Sequence, residues 1–405
     1  MSTRRTVISS LAATALVVVV GLTALSAPAQ AQNGNAECRN LSDPATSGWT
    51  SYAELGQRLD QIESTSHGRV DVDVFGQSRS GRDLYAARVG TGDRVLLVTT
   101  EIHGNEKVGT EALLGLLKTL GSSGSAEAQA IREGVTLVAV PQFNPDGGEL
   151  NQRQNTFTWD EVQETYPALD GAASPYYYSG RAGGFDINRD FSADLDAEPT
   201  PDTLPTDETE PGMYLTNESR ALRDLYKDLR GEFGQVDGFV DLHHMGPCNQ
   251  ENETGQYVTV SLDYPPLGSE VDGNPRYADW PLLDQDGSRR LALAGANAMQ
   301  EHAGKGNAET SPFFGGVVRY VHPLVADGYS WDRDYAGQAR SAFALNGTKS
   351  VLFEVRGQSD DWGQKQKGML TAVVLAGISG IAEGLADESV DELDGDDFFA
   401  LPKYW

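Results

Sequence analysis

The chain contains little cysteine. Among its 405 residues only Cys38 and Cys248 are cysteines, which excludes a small domain held together by a framework of several disulfides. In an exported protein the two residues are able to form one bridge, and two buried free thiols are the equal alternative. The cysteines therefore leave the redox state open.

Positive charge is also scarce. Lysine and arginine number 31 against 59 aspartates and glutamates, so the formal net charge is -28. A surface this acidic opposes contact with nucleic acid, and we expect no nucleic-acid partner. The charge is typical of salt-adapted proteins, with an ordinary acidic secreted protein as the alternative. Hydrophobic residues make up 39% of the chain, which indicates a folded enzyme rather than a disordered protein.

The N-terminus resembles an export signal. Two arginines, Arg4 and Arg5, precede an apolar run over residues 11–27, and the segment Ala29–Ala31 has the small residues of a cleavage site. Residues 1–31 are predicted to be a signal peptide, and an uncleaved membrane anchor is the alternative. The paired arginines suggest the twin-arginine route. We expect a secreted monomer with no stable membrane association once the signal is removed.

The remainder divides into three parts. A polar leader occupies residues 32–48, a catalytic domain residues 49–386, and an acidic tail, expected to be solvated, residues 387–405. Within the domain, residues 156–181 and 193–211 interrupt the alternation of strands and helices and are predicted to be surface insertions.

Helical and strand patterns alternate along the catalytic domain. Buried strands are predicted at 95–100, 135–140, 238–242 and 350–355, and further strands at 70–75 and 84–89. Helices are predicted at 52–62, 109–120, 218–233 and 363–385. This order predicts a single-domain α/β fold with a mixed, mostly parallel central sheet and helices on both faces.

Polar residues with metal-binding chemistry follow two of the buried strands. His103 and Glu106 lie just after the strand at 95–100, and His243 closes the strand at 238–242. A catalytic zinc takes three ligands of this kind and leaves one position open. Side chains alternate along a strand, so His243 and His244 point apart and we assign only His243 to the metal. Polar residues that merely cap a strand are the alternative.

Glu354 is a carboxylate inside an otherwise apolar strand. Burying a charge is costly unless it is paired or functional, which makes Glu354 a candidate catalytic group. A core ion pair with Arg356 is the alternative.

Several motifs together resemble the zinc carboxypeptidases of the carboxypeptidase A type. Five segments agree with the family in order: the hairpin 75–82 (FGQSRSGR), the metal motif 102–106 (IHGNE), the turn 144–147 (NPDG), the segment 186–191 (DINRDF) and the segment 353–356 (FEVR). The resemblance implies one zinc ion per chain, held by His103, Glu106 and His243, with Glu354 as the general base.

The resemblance also implies substrate contacts. Arg153 matches the arginine that stabilises the developing oxyanion. Asn188 and Arg189 match the pair that binds the terminal carboxylate of the peptide, which would make the enzyme an exopeptidase. Tyr335 is assigned as the tyrosine that closes over the substrate, with Tyr329 as the alternative. Asp190 departs from the family, which usually has asparagine there.

These features predict a metallocarboxypeptidase that hydrolyses the C-terminal bond of peptides and proteins with a free C-terminus. A related zinc amidase, acting on cell-wall peptides or N-acyl amino acids, is the alternative enzyme. A non-catalytic binding module would be expected to lack one of the four site residues. A serine hydrolase is disfavoured because the segment 76–80 lacks the second glycine of the nucleophile elbow.

Overall fold

Alternating apolar runs and amphipathic segments build one large sheet with helices around it. The computed structural model describes residues 48–251, 253–264, 280–305, 315–320, 336–357 and 363–404. The larger sheet has nine strands: β1 (Val70–Gln77), β2 (Asp83–Val89), β3 (Arg94–Thr100), β4 (Val135–Val140), β7 (Gly238–Met245), β8 (Val260–Asp263), β9 (Val317–Tyr320), β10 (Lys349–Arg356) and β11 (Lys403–Tyr404).

The centre of this sheet is parallel. The strand order is β1-β2-β4-β3-β7-β10-β8-β9-β11, and β4, β3, β7 and β10 pair in parallel with their neighbours in that row. Strands β1, β2 and β4 pair antiparallel at one side, and β8 pairs antiparallel with β10. Strands β3 and β4 are buried along almost their whole length because both faces are covered. The predicted mixed, mostly parallel sheet is confirmed.

Helices cover both faces of the sheet. The described α-helices are α1 (Tyr52–Thr65), α2 (Val108–Ser122), α3 (Ala126–Gly134), α4 (Pro145–Leu150), α5 (Trp159–Thr165), α6 (Asn217–Phe233), α7 (Gln285–Lys305), α8 (Ala339–Leu345) and α9 (Gly363–Ala386). One apolar core lies between the sheet and α1, α2, α3, α7 and α9, and a second lies between the sheet and α6 and α8. The ten predicted strands and helices are all present, with ends that differ by a few residues.

Helix α9 is apolar along its length. Its segment Gln366–Ala386 is long and apolar enough to cross a membrane by length and composition, the only such helix among the described residues. Half of that segment is buried. Val373, Val374 and Ile378 belong to the first of the two cores, the main core, where they pack against α2 and α7. The helix therefore has the composition expected of a central core element.

The two predicted insertions carry a core of their own. Apolar side chains between residues 157 and 215 form a third cluster, and two short strands, β5 (Tyr178–Ser179) and β6 (Gly184–Phe185), pair beside it. Phe185 is fully buried at its centre and contacts the rings of Phe157, Trp159 and Tyr177. This stretch is packed structure rather than a set of independent surface loops.

Asp190 joins this insertion to helix α6. Its buried carboxylate accepts hydrogen bonds from the hydroxyls of Tyr177 at 2.7 Å and Ser219 at 2.6 Å. It also accepts from the backbone N–H groups of Leu215 at 2.9 Å and Thr216 at 2.7 Å. Four donors around one carboxylate, next to the start of α6, explain why a charge is tolerated there.

The acidic C-terminal segment is packed, contrary to the prediction of a solvated tail. Val390 and Phe398 are buried in the main core, and β11 extends the sheet beyond β9. Acidic residues of the segment meet basic residues of the domain: Asp391 accepts from Arg94 at 3.0 Å and from Lys349 at 3.2 Å. The acidic composition concealed this packing because the apolar anchors are few and widely spaced.

Cys248 is disulfide-bonded, and the described part of the chain has no free cysteine. The only other cysteine in the sequence, Cys38, lies outside the described residues. Of the two redox states left open by the sequence, the bridged one applies to Cys248.

We expect Phe398→Ala to lower the free energy of unfolding by about 3–5 kcal/mol, because it empties a buried site packed against Tyr264. Chemical denaturation followed by circular dichroism measures the change. The control is Asp397→Ala, a change at the neighbouring exposed residue. Its free energy of unfolding should stay within about 0.5 kcal/mol of wild type. Equal stability of Phe398→Ala and Asp397→Ala would show that the tail is not integral to the fold.

Candidate active site

Three potential metal ligands converge where β3 and β7 end. His103 and Glu106 lie in the loop after β3, and His243 lies within β7, the strand beside it. Nδ1 of His243 is 3.0 Å from Nδ1 of His103 and 2.9 Å from Oε2 of Glu106, and Oε1 of Glu106 is 2.9 Å from Nδ1 of His103. All three side chains are buried. This is the group within the described residues suited to hold a metal ion.

Two further carboxylates orient the imidazole rings. Nε2 of His103 is 3.1 Å from Oδ1 of Asp186, and Nε2 of His243 is 2.9 Å from Oδ2 of Asp241. A carboxylate at Nε2 keeps the ring proton there and leaves Nδ1 as the electron-pair donor, which is the usual support for a metal-binding histidine. Both rings therefore present the same nitrogen to Glu106.

The charges in this group shift one another's ionisation. Burial would lower the pKa of His243, but Asp241 and Glu106 outweigh burial and raise it to about 10. Burial opposes ionisation of Glu106, yet the adjacent His103 and His243 hold its pKa well below the usual value. The carboxylates around these rings therefore strongly favour a positive charge at the centre of the site.

The loop that carries His103 is held by close contact with the turn after β4. A Cβ atom added to Gly104 would lie 2.1 Å from the carbonyl carbon of Gly147, so the two backbones touch and no side chain fits between them. The amide of Asn144 donates to the carbonyl oxygen of Ile102 at 3.3 Å and to that of Arg153 at 3.2 Å. The H-G-N-E and N-P-D-G motifs are therefore one structural unit.

A buried ion pair supports the same loop from behind. The ammonium group of Lys107 donates to Oε2 of Glu101 at 2.9 Å and to the carbonyl oxygen of Gly148 at 3.0 Å. Glu101 and Gln142, the residues that leave β3 and β4, have positive φ angles of 54° and 50°. Non-glycine residues adopt this conformation at a cost, and such backbone strain is concentrated at functional sites.

His244 turns away from the metal group, as strand alternation predicts. Its Nε2 accepts a hydrogen bond of 3.0 Å from the backbone N–H of Val108, the first residue of α2. Burial lowers the pKa of His244 to about 4, which keeps the ring neutral and able to accept. His244 therefore satisfies a free donor at the start of that helix.

Glu354 lies directly beside His243. The parallel register of β10 and β7 pairs Glu354 with His243, and the carboxylate faces the same cavity as the three donors. Burial raises the pKa of Glu354, with an opposing contribution from His243 and a reinforcing one from Glu106. The alternative interpretation of the sequence was a core ion pair between Glu354 and Arg356. None is found among the described residues, Arg356 is not among the main causes of the shifted pKa of Glu354, and its Nε donates to the carbonyl oxygen of Pro247 at 2.8 Å.

Arg153 projects into the group from the segment after α4. Its guanidinium binds Oδ2 of Asp186 through two N–H groups, at 3.0 and 2.8 Å. A third nitrogen, Nη1, lies 3.1 Å from Nδ1 of His103 and 3.7 Å from Glu106. A long insertion separates Arg153 from Asp186 in the sequence. Their side chains nevertheless meet, and this contact holds Arg153 beside the metal group.

Asn188 and Arg189 border the cavity but differ in their contacts. The amide of Asn188 is buried, donates to Asp241 at 3.2 Å and accepts from the N–H of Ala339 at 3.0 Å. Arg189 lines the cavity and donates to the carbonyl oxygen of Asn188 at 2.8 Å. In this structure Asn188 supports the metal group from the side, and Arg189 presents its charge to the cavity.

Part of the predicted site cannot be placed. Tyr335, and its alternative Tyr329, lie outside the described residues. Asp186, Asp241 and the Lys107–Glu101 pair received no role from the sequence. Asp241 carried a usable signal, since it is a charge in an apolar strand two positions before His243 and therefore on the same face.

The comparisons with known proteins decide the family. A family model described as zinc carboxypeptidase matches residues 55–376. The chain belongs to the zinc carboxypeptidase family. A solved structure of bovine thrombin-activatable fibrinolysis inhibitor, in complex with tick carboxypeptidase inhibitor, has a TM-score of 0.53 and 14% identity over 85% of this chain and 99% of that one. Carboxypeptidase A from Helicoverpa armigera has a TM-score of 0.52 and 16% identity over 86% of this chain and 80% of that one.

Membership of this zinc carboxypeptidase family makes the chain a zinc-dependent hydrolase, as the sequence predicted. At these identities the solved structures show a shared fold. The group of two histidines and one glutamate suits zinc, because two neutral imidazoles and one carboxylate are a usual ligand set for a catalytic zinc ion.

We expect Asp241→Asn to weaken zinc binding roughly 10- to 100-fold, because an amide holds the His243 ring less strongly than a carboxylate does. Competition with a chelator of known affinity measures the loss. Asp73→Asn, an exposed change on β1, is the control and should leave zinc affinity unchanged. Equal affinity for both variants would show that Asp241 does not orient the ligand.

Proposed function

We propose that this zinc carboxypeptidase is an exported enzyme that removes C-terminal residues from peptides, with Glu354 as general base. The observation that carries the proposal is the pairing of Glu354 with His243 across β10 and β7. It sets a carboxylate of raised pKa beside the metal group and inside the same cavity. A general base works best when its pKa approaches the operating pH, and burial shifts Glu354 in that direction.

His103, Glu106 and His243 would hold one zinc ion through the two Nδ1 atoms and the carboxylate. Zinc bound there supplies Lewis-acid chemistry, which makes water acidic enough to ionise near neutral pH and polarises a carbonyl group. Asp186 and Asp241 keep the ring protons on Nε2 and so preserve the donor atoms.

The remaining steps are assigned to side chains of the cavity. Glu354 accepts a proton from the attacking water and then delivers it to the leaving amine. The guanidinium of Arg153, fixed by the two hydrogen bonds that it donates to Asp186, offers its third nitrogen to the oxygen on which charge develops. Because Arg153 is already oriented, little reorganisation is needed when that charge appears.

Arg189 is the group best placed to bind the terminal carboxylate. It lines the cavity, and a guanidinium is able to donate two parallel hydrogen bonds to a carboxylate. The sequence also assigned Asn188 to this task, and its buried amide supports a role in holding Asp241 and the backbone of Ala339. Recognition of the free C-terminus is what restricts such an enzyme to terminal bonds.

The related zinc amidase remains the competing enzyme, because wall peptides and N-acyl amino acids also end in a carboxylate. Rates on blocked dipeptides, wall-type peptides and N-acyl amino acids separate the two activities. Peptides as the fastest substrates would support the carboxypeptidase, whereas N-acyl amino acids or wall peptides would support the amidase.

Export is supported by two features. Residues 1–31 have the composition of a signal peptide, and Cys248 is disulfide-bonded, which is usual outside the reducing cytosol. We propose a secreted monomer that leaves the cell by the twin-arginine route and has no stable membrane contact afterwards. The acidic surface supports the absence of a nucleic-acid partner.

We expect Glu354→Gln to keep one zinc ion per chain and to lose turnover by roughly 100- to 10,000-fold, because glutamine cannot take the proton. Metal analysis and kcat on a blocked dipeptide are measured on the same preparations of both proteins. Turnover similar to wild type would refute Glu354 as the base.

We expect Arg189→Gln to raise KM for a peptide with a free C-terminus roughly 10- to 100-fold, because one charge-assisted contact to the carboxylate is lost. The same peptide with an amidated C-terminus should be cleaved equally poorly by variant and wild type. Arg181→Gln, an exposed change in the insertion, serves as control. An unchanged KM in Arg189→Gln would show that a different residue binds the terminal carboxylate of the peptide.

A further inference from the structure

The cavity continues from the metal group across the sheet towards its edge. Its volume is about 340 Å³, and it is bounded at one end by the metal group and by Arg153 and Arg189. Among the described residues, the rest of the lining includes Leu352, Asp263, Tyr320 and Tyr404 on the strands, with the polar side chains of Asn249, Gln338 and Arg340 beside them. A peptide whose terminal carboxylate binds Arg189 would have its terminal side chain in the same cavity, within reach of these residues.

Strand register places these residues in one row. Leu352 on β10 pairs with Asp263 on β8, and Tyr320 on β9 pairs with Tyr404 on β11. The last parallel pair of β8 and β9 is Leu262 with Arg319, and the next residues along are Asp263 and Tyr320. Side chains alternate along each strand, so the row lies on one face. Four adjacent strands therefore build the far part of the cavity.

Two tyrosines form the outer wall of this row. The ring centroids of Tyr320 and Tyr404 are 5.6 Å apart, and both side chains are partly exposed to the cavity. Burial raises the pKa of Tyr404 to about 12, with the charge of Glu354 as a further cause, so the phenol stays neutral. Tyr404 lies outside residues 55–376, the part of the chain matched by the family model.

The charged residue of the row, Asp263, forms an ion pair with Arg340 on helix α8. Nη1 of Arg340 is 3.4 Å from Oδ2 of Asp263, and both side chains are buried. The Nε atom of Arg340 donates to Oε1 of Gln338 at 2.6 Å. A charged side chain that entered would have to compete with this pair and lose its hydration, which is unfavourable. An apolar ring or branched chain would meet Leu352 and the two tyrosines instead.

We propose that Tyr404 is a specificity-determining residue. With Tyr320 it forms the aromatic wall that receives the terminal side chain of the substrate, and this wall selects peptides that end in aromatic or large aliphatic residues. The inference rests on the proposed carboxypeptidase function. It gives the C-terminal segment of the chain a direct part in substrate choice, in addition to its packing role.

The test compares four N-blocked dipeptides that differ only in the last residue: phenylalanine, leucine, arginine or glutamate. We expect wild type to show kcat/KM at least about tenfold higher for phenylalanine than for arginine or glutamate. Tyr404→Ala should lower kcat/KM for the phenylalanine substrate roughly three- to tenfold, mainly through KM, because ring contacts are lost. The arginine and glutamate substrates should change less than about twofold.

Two variants separate the side-chain effect from damage to the strand. Tyr404→Phe keeps the ring and should retain the wild-type preference. Lys403→Ala alters the same strand at an exposed position on its other face and should also retain it. Thermal melting and zinc content are measured for every variant, and a Tyr404→Ala protein that melts with wild type isolates the role of the ring.

A second readout does not depend on turnover. Binding of the same dipeptides to zinc-loaded Glu354→Gln protein is measured by calorimetry, with and without Tyr404→Ala. We expect the preference for phenylalanine over arginine to fall when the ring is removed.

Distinct results overturn the inference. A wild-type preference for arginine or glutamate, or an equal loss on all four dipeptides in Tyr404→Ala, would show that Tyr404 does not select the terminal side chain. A zinc-loaded wild type that releases no terminal residue from any of them would overturn the proposed function, and this inference with it.

Discussion

The parallel pairing of β7 between β3 and β10 is the constraint on which the site depends. Because parallel strands end at the same edge of a sheet, residues far apart in sequence meet there. His243 on β7 lies beside Glu354 on β10, and the loop leaving β3 brings His103 and Glu106 to the same edge. A shift of one residue in this register would turn Glu354 or His243 into the opposite core. Packing of the apolar cores on both faces of the sheet therefore fixes this register, and with it the positions of His243 and Glu354.

Electrostatics around this edge follow from the same arrangement. Glu106, Asp186, Asp241 and Glu354 bring four carboxylates close to two imidazoles, and Arg153 supplies one permanent positive charge. The high pKa of His243 reflects this excess of negative charge. A divalent cation at the Nδ1 atoms would satisfy the same demand, and its binding competes with the proton.

Much of this could be predicted from the sequence, for identifiable reasons. Apolar runs such as 95–100 and 135–140 are buried on both faces, so pattern alone located the strands that position the site. Short motifs such as His103 to Glu106 can be recognised in the sequence because the relative positions of their side chains depend only on the local backbone. His243 and Glu354 stood out as polar residues at the end of and inside apolar strands, and the resemblance then gave them their roles; their partnership is visible only when the strands are paired.

Other features depended on contacts that no local pattern encodes. The packing of residues 389–404 rests on a few apolar anchors such as Phe398, within a segment whose acidic composition suggested a solvated tail. The role of Asp190 required knowing that Tyr177, Ser219 and the start of α6 surround it. Tyr404 joins the cavity through a pairing with β9 that spans more than eighty residues of sequence.

The backbone contact between Gly104 and Gly147 has a mechanical consequence for the cavity. Since no side chain separates the loop of His103 from the turn that leads to Arg153, a displacement of either segment must carry the other with it. One rim of the cavity is therefore stiff, and the guanidinium and the ligand set keep a fixed separation.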